Sequence, residues 1–264
     1  MRAIYGIVVR ELMRFVRQRG RFLSSIGRPF VWLIFAGAGF ATLFRSSEGL
    51  DYRQYMAPGL LGMVVMFGAL LASLSTVTDR DAGVLRMVLV APIRHGTVAL
   101  GKALGAMVLG TMQSVIVAAI LLPLVHLDPG WRALGLAFCA VLLSSLAIGA
   151  LGLLLAATIR SIENFAGVMN FVIFPMLFLS GALYPVRNLG PILRLVTYVN
   201  PLTYAVDLLK HALLAPWAGT PYGGELPIGL DCVALGAWTV VGLVAATPLL
   251  ARESGVTRVA LKRA

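Results

Sequence analysis

Charge is what this sequence has least of. Asp, Glu, Lys and Arg make up 12% of its 264 residues, against about 25% in an average soluble domain. So little charge cannot cover the water-facing surface of a chain this long, which excludes a soluble globular fold. Acidic residues are scarcer still, 11 against 22 basic ones, and the formal net charge is +11. A basic balance suits nucleic acid or an anionic membrane surface. Here the basic residues gather at the ends and in loops, and long stretches between them carry none. Membrane lipids are therefore the expected partner, and nucleic acid is not. Cysteine is nearly missing: Cys139 and Cys232 form neither a CxxC pair nor a disulfide framework, and both read as packing residues. A cleavable signal peptide is not expected, because the basic N-terminal stretch is too long and its apolar run lacks a small-residue exit.

Recognisable reaction chemistry is missing as well. The three histidines, His95, His126 and His211, fall in no H-E-x-x-H pattern, and no G-x-S-x-G elbow occurs. Each histidine reads as an interfacial polar residue, so no catalytic or metal-binding set is expected. The stretch Gly96 to Ala103 nearly fits the phosphate-binding pattern G-x-x-x-x-G-K-[ST], but Ala103 stands where the magnesium-binding hydroxyl belongs. Leu179-Ser180-Gly181 is a fragment of a nucleotide-binding signature inside an apolar membrane segment. Neither is an ATP site, so no cofactor is expected on this chain. No ionisable residue lies in the middle of an apolar run. The runs offer neutral polar groups, such as Thr76, Gln113, Ser114, Ser144, Ser145, Asn170 and Ser180, with Asp231 near the start of the last one. A charge buried in a bilayer is costly and marks an ion or proton path. A gradient-driven transporter would need one, and a lipid-modifying enzyme would need a nucleophile–base or metal set. A scaffold for another membrane complex needs neither.

What is present is apolar sequence, 59% of the residues, with a mean hydropathy of +0.90. A bilayer-crossing helix needs about 20 apolar residues. Six candidates stand out: a short one from Pro29 to Phe44, then Met56–Val77, Ala103–Val125, Trp131–Ile159, Phe165–Leu183 and Ile228–Ala251. With the N-terminus inside, sixteen of the Lys and Arg residues fall in inside segments and six in outside ones. Both termini are thus expected in the cytoplasm. The expected fold is an all-α membrane protein of six spans. Small residues four apart, Gly101 with Gly105 and Ser145 with Gly149, permit close helix contact. Packing within the chain is the favoured reading of them over a dimer seam.

Three segments outside the spans carry pattern. In residues 1–28, Ile4, Tyr5, Val8, Leu12, Phe15 and Val16 fall on one side of a helical wheel. Arg10, Arg14, Arg17 and Arg21 fall on the other, which predicts an amphipathic helix lying on the cytoplasmic interface with its arginines toward lipid phosphates. In the loop 79–102, Val84, Leu85, Val88 and Leu89 recur at helical steps and Pro92 ends the pattern. This short helix has an apolar edge that needs cover, from the membrane, the bundle or a partner protein. The segment 184–227 is rich in proline, yet Ile192 to Val199 and Leu202 to Leu214 are apolar enough to re-enter the bilayer. Two short helices hinged at Asn200-Pro201 are predicted, with Asn200 as cap and Pro201 at the first helical position.

The stretch from Phe174 to Leu213, with FLSG, then Tyr184-Pro185, then NPLTY from Asn200 to Tyr204, strongly resembles the hallmark region of the ABC-2 type transporter permeases. The loop resembles that family's coupling region, with Gly83 ahead of a short apolar helix. The family's acidic pair before that glycine is only partly kept, as Asp79 and Asp81. The resemblance covers nearly the whole chain, and its implications come from the family. Residues 29–264 would form a six-span domain that dimerises with a second copy. Each copy would pair with a separate ATP-binding subunit through the N-terminal helix and the coupling helix, and that subunit would bind the ATP and magnesium. Gly83, Val84, Leu85, Arg86, Val88, Leu89, Pro92, Ile93 and Arg94 would couple the chain to that subunit. Phe178, Leu179, Ser180, Gly181, Tyr184, Pro185, Asn200, Pro201 and Tyr204 would belong to an external gate. The setting would be a bacterial cytoplasmic membrane. The cargo would be a drug, a lipid or a lipo-oligosaccharide moving outward.

Overall fold

The computed structural model describes residues 2–17, 19–41, 50–90, 93–220 and 222–252, apart from some side chains within the helices. Among the described residues it is all helical. The helices are α1 (Arg2–Arg17), α2 (Arg19–Ala41), α3 (Tyr52–Asp81), α4 (Val84–Val90) and α5 (His95–Leu124). They continue with α6 (Trp131–Thr158), α7 (Ile162–Phe178), α8 (Pro191–Val199), α9 (Pro201–Leu213) and α10 (Ile228–Ala251). Short 3-10 turns sit at Val186–Asn188 and Ala215–Trp217.

Four helices, α3, α5, α6 and α10, are long and apolar enough to cross a membrane. The 30 residues of α3 extend about 45 Å at 1.5 Å per residue, beyond a hydrocarbon core of about 30 Å. The other two expected spans are shorter. In α2 the apolar part is Ile26–Phe35, and α7 is apolar from Ile162 to Phe178. The expected fifth span runs on to Leu183, but α7 stops at Phe178 because the chain turns at Gly181, whose φ is +78°. A left-handed backbone there ends a helix and suits glycine. Thr42 to Phe44 of the expected first span lie outside the described residues.

The core forms where α3, α5 and α6 pack on one another. Its most enclosed side chains include Tyr55, Met66, Leu70, Leu121 and Ile148. Helix α1 packs on α5, α2 on α3, α9 on α6 and α3, and α10 on α6. Small residues set the closest approaches. A Cβ at Gly101 would sit 3.0 Å from Ile7 and one at Gly105 3.1 Å from Glu11, so α1 seats on that seam. A Cβ at Gly149 would meet Ala106 at 2.8 Å, and one at Gly242 would meet the Ala150 backbone at 2.8 Å. Both small-residue pairs therefore serve contacts within the chain. Outward faces of the long helices carry apolar residues such as Leu136, Val233 and Val244, as bilayer-facing helices do. Cys139 and Cys232 lie on such faces and are exposed, not packed in the core, because α6 and α10 each turn only one side to the bundle.

Candidate functional site

Two clusters of charge stand at opposite ends of α3. At its C-terminal end, Asp79 is buried and paired with three cations. Lys102 Nζ, on α5, is 2.6 Å from Asp79 Oδ2 and 2.7 Å from Glu11 Oε1 on α1. Arg14 Nη1 is 2.8 Å from Asp79 Oδ1, its Nη2 donates to Thr78 Oγ1, and Arg10 also pairs with Asp79. The side chains of Lys102, Glu11 and Asp79 are 4–6% exposed. A buried charge is tolerated only when paired and hydrogen-bonded. Here each carboxylate has a cation and Lys102 also donates to Ser75 Oγ. Arg10 and Arg14 thus bind a protein carboxylate and not lipid alone. Arg17 is exposed, and the Arg21 side chain lies outside the described residues. Asp81 is exposed, so the two members of the acidic pair have separate surroundings.

The network sits at the root of α4. Asp79 and α4 are separated by one turn of chain in which Gly83 has φ +74°, a conformation that favours glycine. Leu85 anchors α4 in a small core with Ala99, Leu153, Ala157, Ala246 and Leu250. Val84, Val88 and Ile93 are half-buried, while Met87 and Arg94 are exposed. The bundle therefore covers part of the predicted apolar edge. The side chains of Arg86 and Leu89, and all of Pro92, lie outside the described residues. Arg80 ties the same end of α3 to α6, donating to the Ile159 carbonyl at 2.6 Å. Gly96 to Ala103 is continuous helix, and Lys102 is held in ion pairs within it.

At the N-terminal end of α3, side chains hold the segment between α7 and α9. Tyr52 donates to the Leu183 carbonyl at 3.1 Å and Tyr55 to that of Gly181 at 3.2 Å. Ser180 donates to Leu177 and accepts from the Ala182 N–H. Asn200 caps α9 by accepting from the Leu202 N–H at 3.0 Å, and its amide donates to the Met176 carbonyl at 2.8 Å. Thr203 donates to the Leu179 carbonyl, and Tyr204 to that of Tyr198. Pro185 and Pro201 are buried and Tyr184 half-buried, while Phe178 packs edge-on against Trp32. The residues expected at an external gate are thus brought together. The hinge separates two unlike helices: α9 is buried along nearly its whole length, whereas α8 exposes Ile192, Leu193, Leu195, Val196 and Val199.

Behind the hinge lies a cavity of about 350 Å³ lined by residues that include Arg187, Arg194, Asp207, Lys210 and Glu225. Glu225 accepts from the Val186 and Arg187 N–H groups at 2.8 and 2.9 Å. Asp207 accepts from the Glu225 and Leu226 N–H groups at 2.7 and 2.9 Å. Lys210 donates to Tyr55 Oη at 3.2 Å and lies 3.9 Å from Glu225. Burial pushes its ammonium pKa down, with Glu225 and Asp207 opposing. The hydrogen bond to Asp207 pushes the His211 imidazole up. Burial disfavours the Asp207 carboxylate, but His211 and the two backbone N–H groups outweigh it and hold the pKa below its ordinary value.

Sequence reasoning missed Glu11, Lys102, Asp207 and Lys210 as buried ionisable groups, and Glu225 as a half-buried one. Two signals were available: Glu11 is the lone acid in an arginine-rich helix, and Asp207 and His211 are one helical turn apart. Lys102 lies toward the start of α5 and the others lie in α1, α9 or a connection, so the middles of the four long helices remain free of charge.

Comparisons with known proteins agree with this architecture. The chain is 27% identical over 238 residues to nodulation protein J of Rhizobium leguminosarum bv. viciae, covering 88% of this chain and 86% of that protein. It is 28% identical over 210 residues to the ycf38 transport permease of Cyanophora paradoxa, covering 78% and 72%. It is 30% identical over 170 residues to the multidrug ABC transporter permease YbhR of Escherichia coli K12, covering 64% of this chain but only 46% of that longer protein. Residues 2–214 match the ABC-2 type transporter family, from α1 to the end of α9, and the chain belongs to that family.

Proposed function

We propose that this chain is the permease subunit of an ATP-binding cassette exporter, working with a separate ATPase subunit and a second copy of itself. The observation that carries the reading is the family match over residues 2–214, which includes both charge clusters apart from Glu225 and Asp231. The chain adds the spans α2 and α7 to the four long helices, giving six, with the shorter pair accommodated by tilt or local thinning of the bilayer. Both termini lie in the cytoplasm and the membrane is a bacterial inner membrane. α1 lies on the inner interface, and residues 79–102 receive the ATPase.

In this reading Gly83 to Arg94 is the coupling region. Leu85 holds α4 to α5, α6 and α10, and the Asp79–Lys102–Glu11 network joins its root to α1 and α5. A push on α4 is therefore delivered to helices of the core, which a switch requires if partner states are to bias bundle states. The segment 184–227 forms the outer gate, with α8 and α9 re-entering from the outside. Cargo is amphipathic or lipid-linked, a drug or lipo-oligosaccharide, in keeping with relatives named as a multidrug permease and a nodulation protein.

The test is purification from native membranes in mild detergent with stoichiometry of what accompanies the chain. One ATP-binding subunit per permease, in a particle with two permeases, supports the reading. A stable particle without an ATPase leaves a scaffold or a gradient-driven carrier. In the same complex, Met87→Glu on the exposed side of α4 is expected to lower export at least tenfold while the protein still assembles in the membrane. Unchanged export would remove α4 from the coupling route.

A further inference from the structure

Asp207 and His211 lie on α9 within the segment read as the outer gate, and Asp231 lies beyond it on α10, but that reading gives none of the three a role. Asp207 and His211 lie one turn apart on α9, and Asp231 comes from the first turn of α10. One ligand-type atom from each lies within 4.8 Å of those of the other two. Asp231 supplies a separate observation. Its side chain is fully buried, and neither carboxylate oxygen has a hydrogen-bond partner among the described residues. A carboxylate so enclosed is strongly disfavoured unless it holds a proton or faces a cation. The adjacent ammonium, Lys210, is directed to Tyr55 and Glu225.

We propose that these three side chains hold a divalent transition-metal ion of the zinc class. One oxygen each from Asp207 and Asp231 and one imidazole nitrogen from His211 would be the ligands. A mixed nitrogen and oxygen set of three, with a position left for water, suits zinc. Calcium asks for six to eight oxygens and magnesium for near-octahedral oxygen geometry, which three residues do not supply. Supporting contacts are in place. Asp207 accepts one backbone N–H on each oxygen, and its Oδ2 also faces His211 Nε2 at 3.5 Å, so a metal would take the place of the histidine proton there. The Leu226 carbonyl lies 2.7 Å from His211 Nε2, the nitrogen that also lies 3.5 Å from Asp207 Oδ2, so ligation through Nε2 would replace that contact. Gly224 lets the loop close over that ring, since a Cβ there would sit 2.3 Å from Nε2. Metal–ligand bonds of about 2.0 Å would draw the donor atoms to roughly 3.3 Å apart. The ion would then pin the start of α10 to α9 and to the loop before it.

The experiment uses the full chain in lipid nanodiscs, stripped with chelator and titrated with zinc chloride against a chromogenic chelator, with thermal unfolding followed in parallel. One zinc per chain is expected, with a higher unfolding midpoint. Affinity should be at least tenfold weaker in Asp231→Asn and in His211→Gln, and neither variant should gain thermal stability from zinc. No binding by the wild type overturns the proposal. So does binding that both variants retain. If the wild type binds none and Asp231→Asn is as stable as the wild type, a proton occupies Asp231 instead. Occupancy is read without ATP or transport, so this result and the permease reading stand or fall separately.

Discussion

At the C-terminal end of α3, Asp79 meets Lys102, Arg10 and Arg14, and Glu11 shares the same lysine. At the N-terminal end, Glu225 and Asp207 are held mainly by backbone N–H groups, Lys210 is shared with Tyr55, and Asp231 has no donor among the described residues. Both ends bury charge, but by different means. The first closes its charges with partners from three helices, so it clamps α1, α3 and α5 together. The second relies on loop backbone and leaves one carboxylate open. A closed network transmits displacement between helices, whereas an open one accepts a ligand.

Removing a single charge should separate the two ends most sharply at Lys102. Lys102→Met leaves Glu11 and Asp79 buried with only half-exposed arginines nearby, and should cost about 3 kcal/mol of stability. Thermal unfolding in detergent measures it. Adding Glu11→Gln should restore part of the loss; a double variant as unstable as the sum of the singles would show that the pair is not coupled. At the other end, Asn200→Ala removes the cap of α9 and the bond to Met176, with an expected loss of about 1–2 kcal/mol. Proteolysis within 184–200 should become faster, and an unchanged cleavage rate would count against a hinge fastened by Asn200. The smallest effect is expected for Arg10→Gln. Its side chain is 38% exposed and Asp79 keeps two other cations, so the change should stay under about 1 kcal/mol. A loss as large as that for Lys102→Met would mean that the network depends on its outer rim.

Some of this was legible because it is local. Asn200-Pro201 starts a helix because the amide caps the N–H of Leu202 and proline needs no donor at the first position. The apolar steps from Val84 and the glycine before them mark α4 in the same way, as single turns of chain. Gly101 and Gly105 advertised a close contact, though not that Ile7 and Glu11 would fill it. Other features were illegible because they depend on partners far apart. Glu11 and Lys102 are 91 residues from one another, and neither pattern of neighbours reveals that two charges will share one buried site. His211 read as an interfacial residue since nothing nearby in sequence announces Asp231. The cysteines read as packing residues because an apolar run has the same composition on its lipid face as on its core face.

The sequence by itself therefore determined that the chain lives in a membrane and which stretches form its long helices, though not where each begins and ends, as α7 stops at Phe178 and not at Leu183. Those follow from hydropathy and from backbone chemistry within a few residues. Only the tertiary structure decided which side of each helix is enclosed, which acids meet which bases, and that Asp231 is sealed in without a donor among the described residues. Those outcomes depend on where separate helices come to rest against each other, and on the cost of enclosing charge once they do.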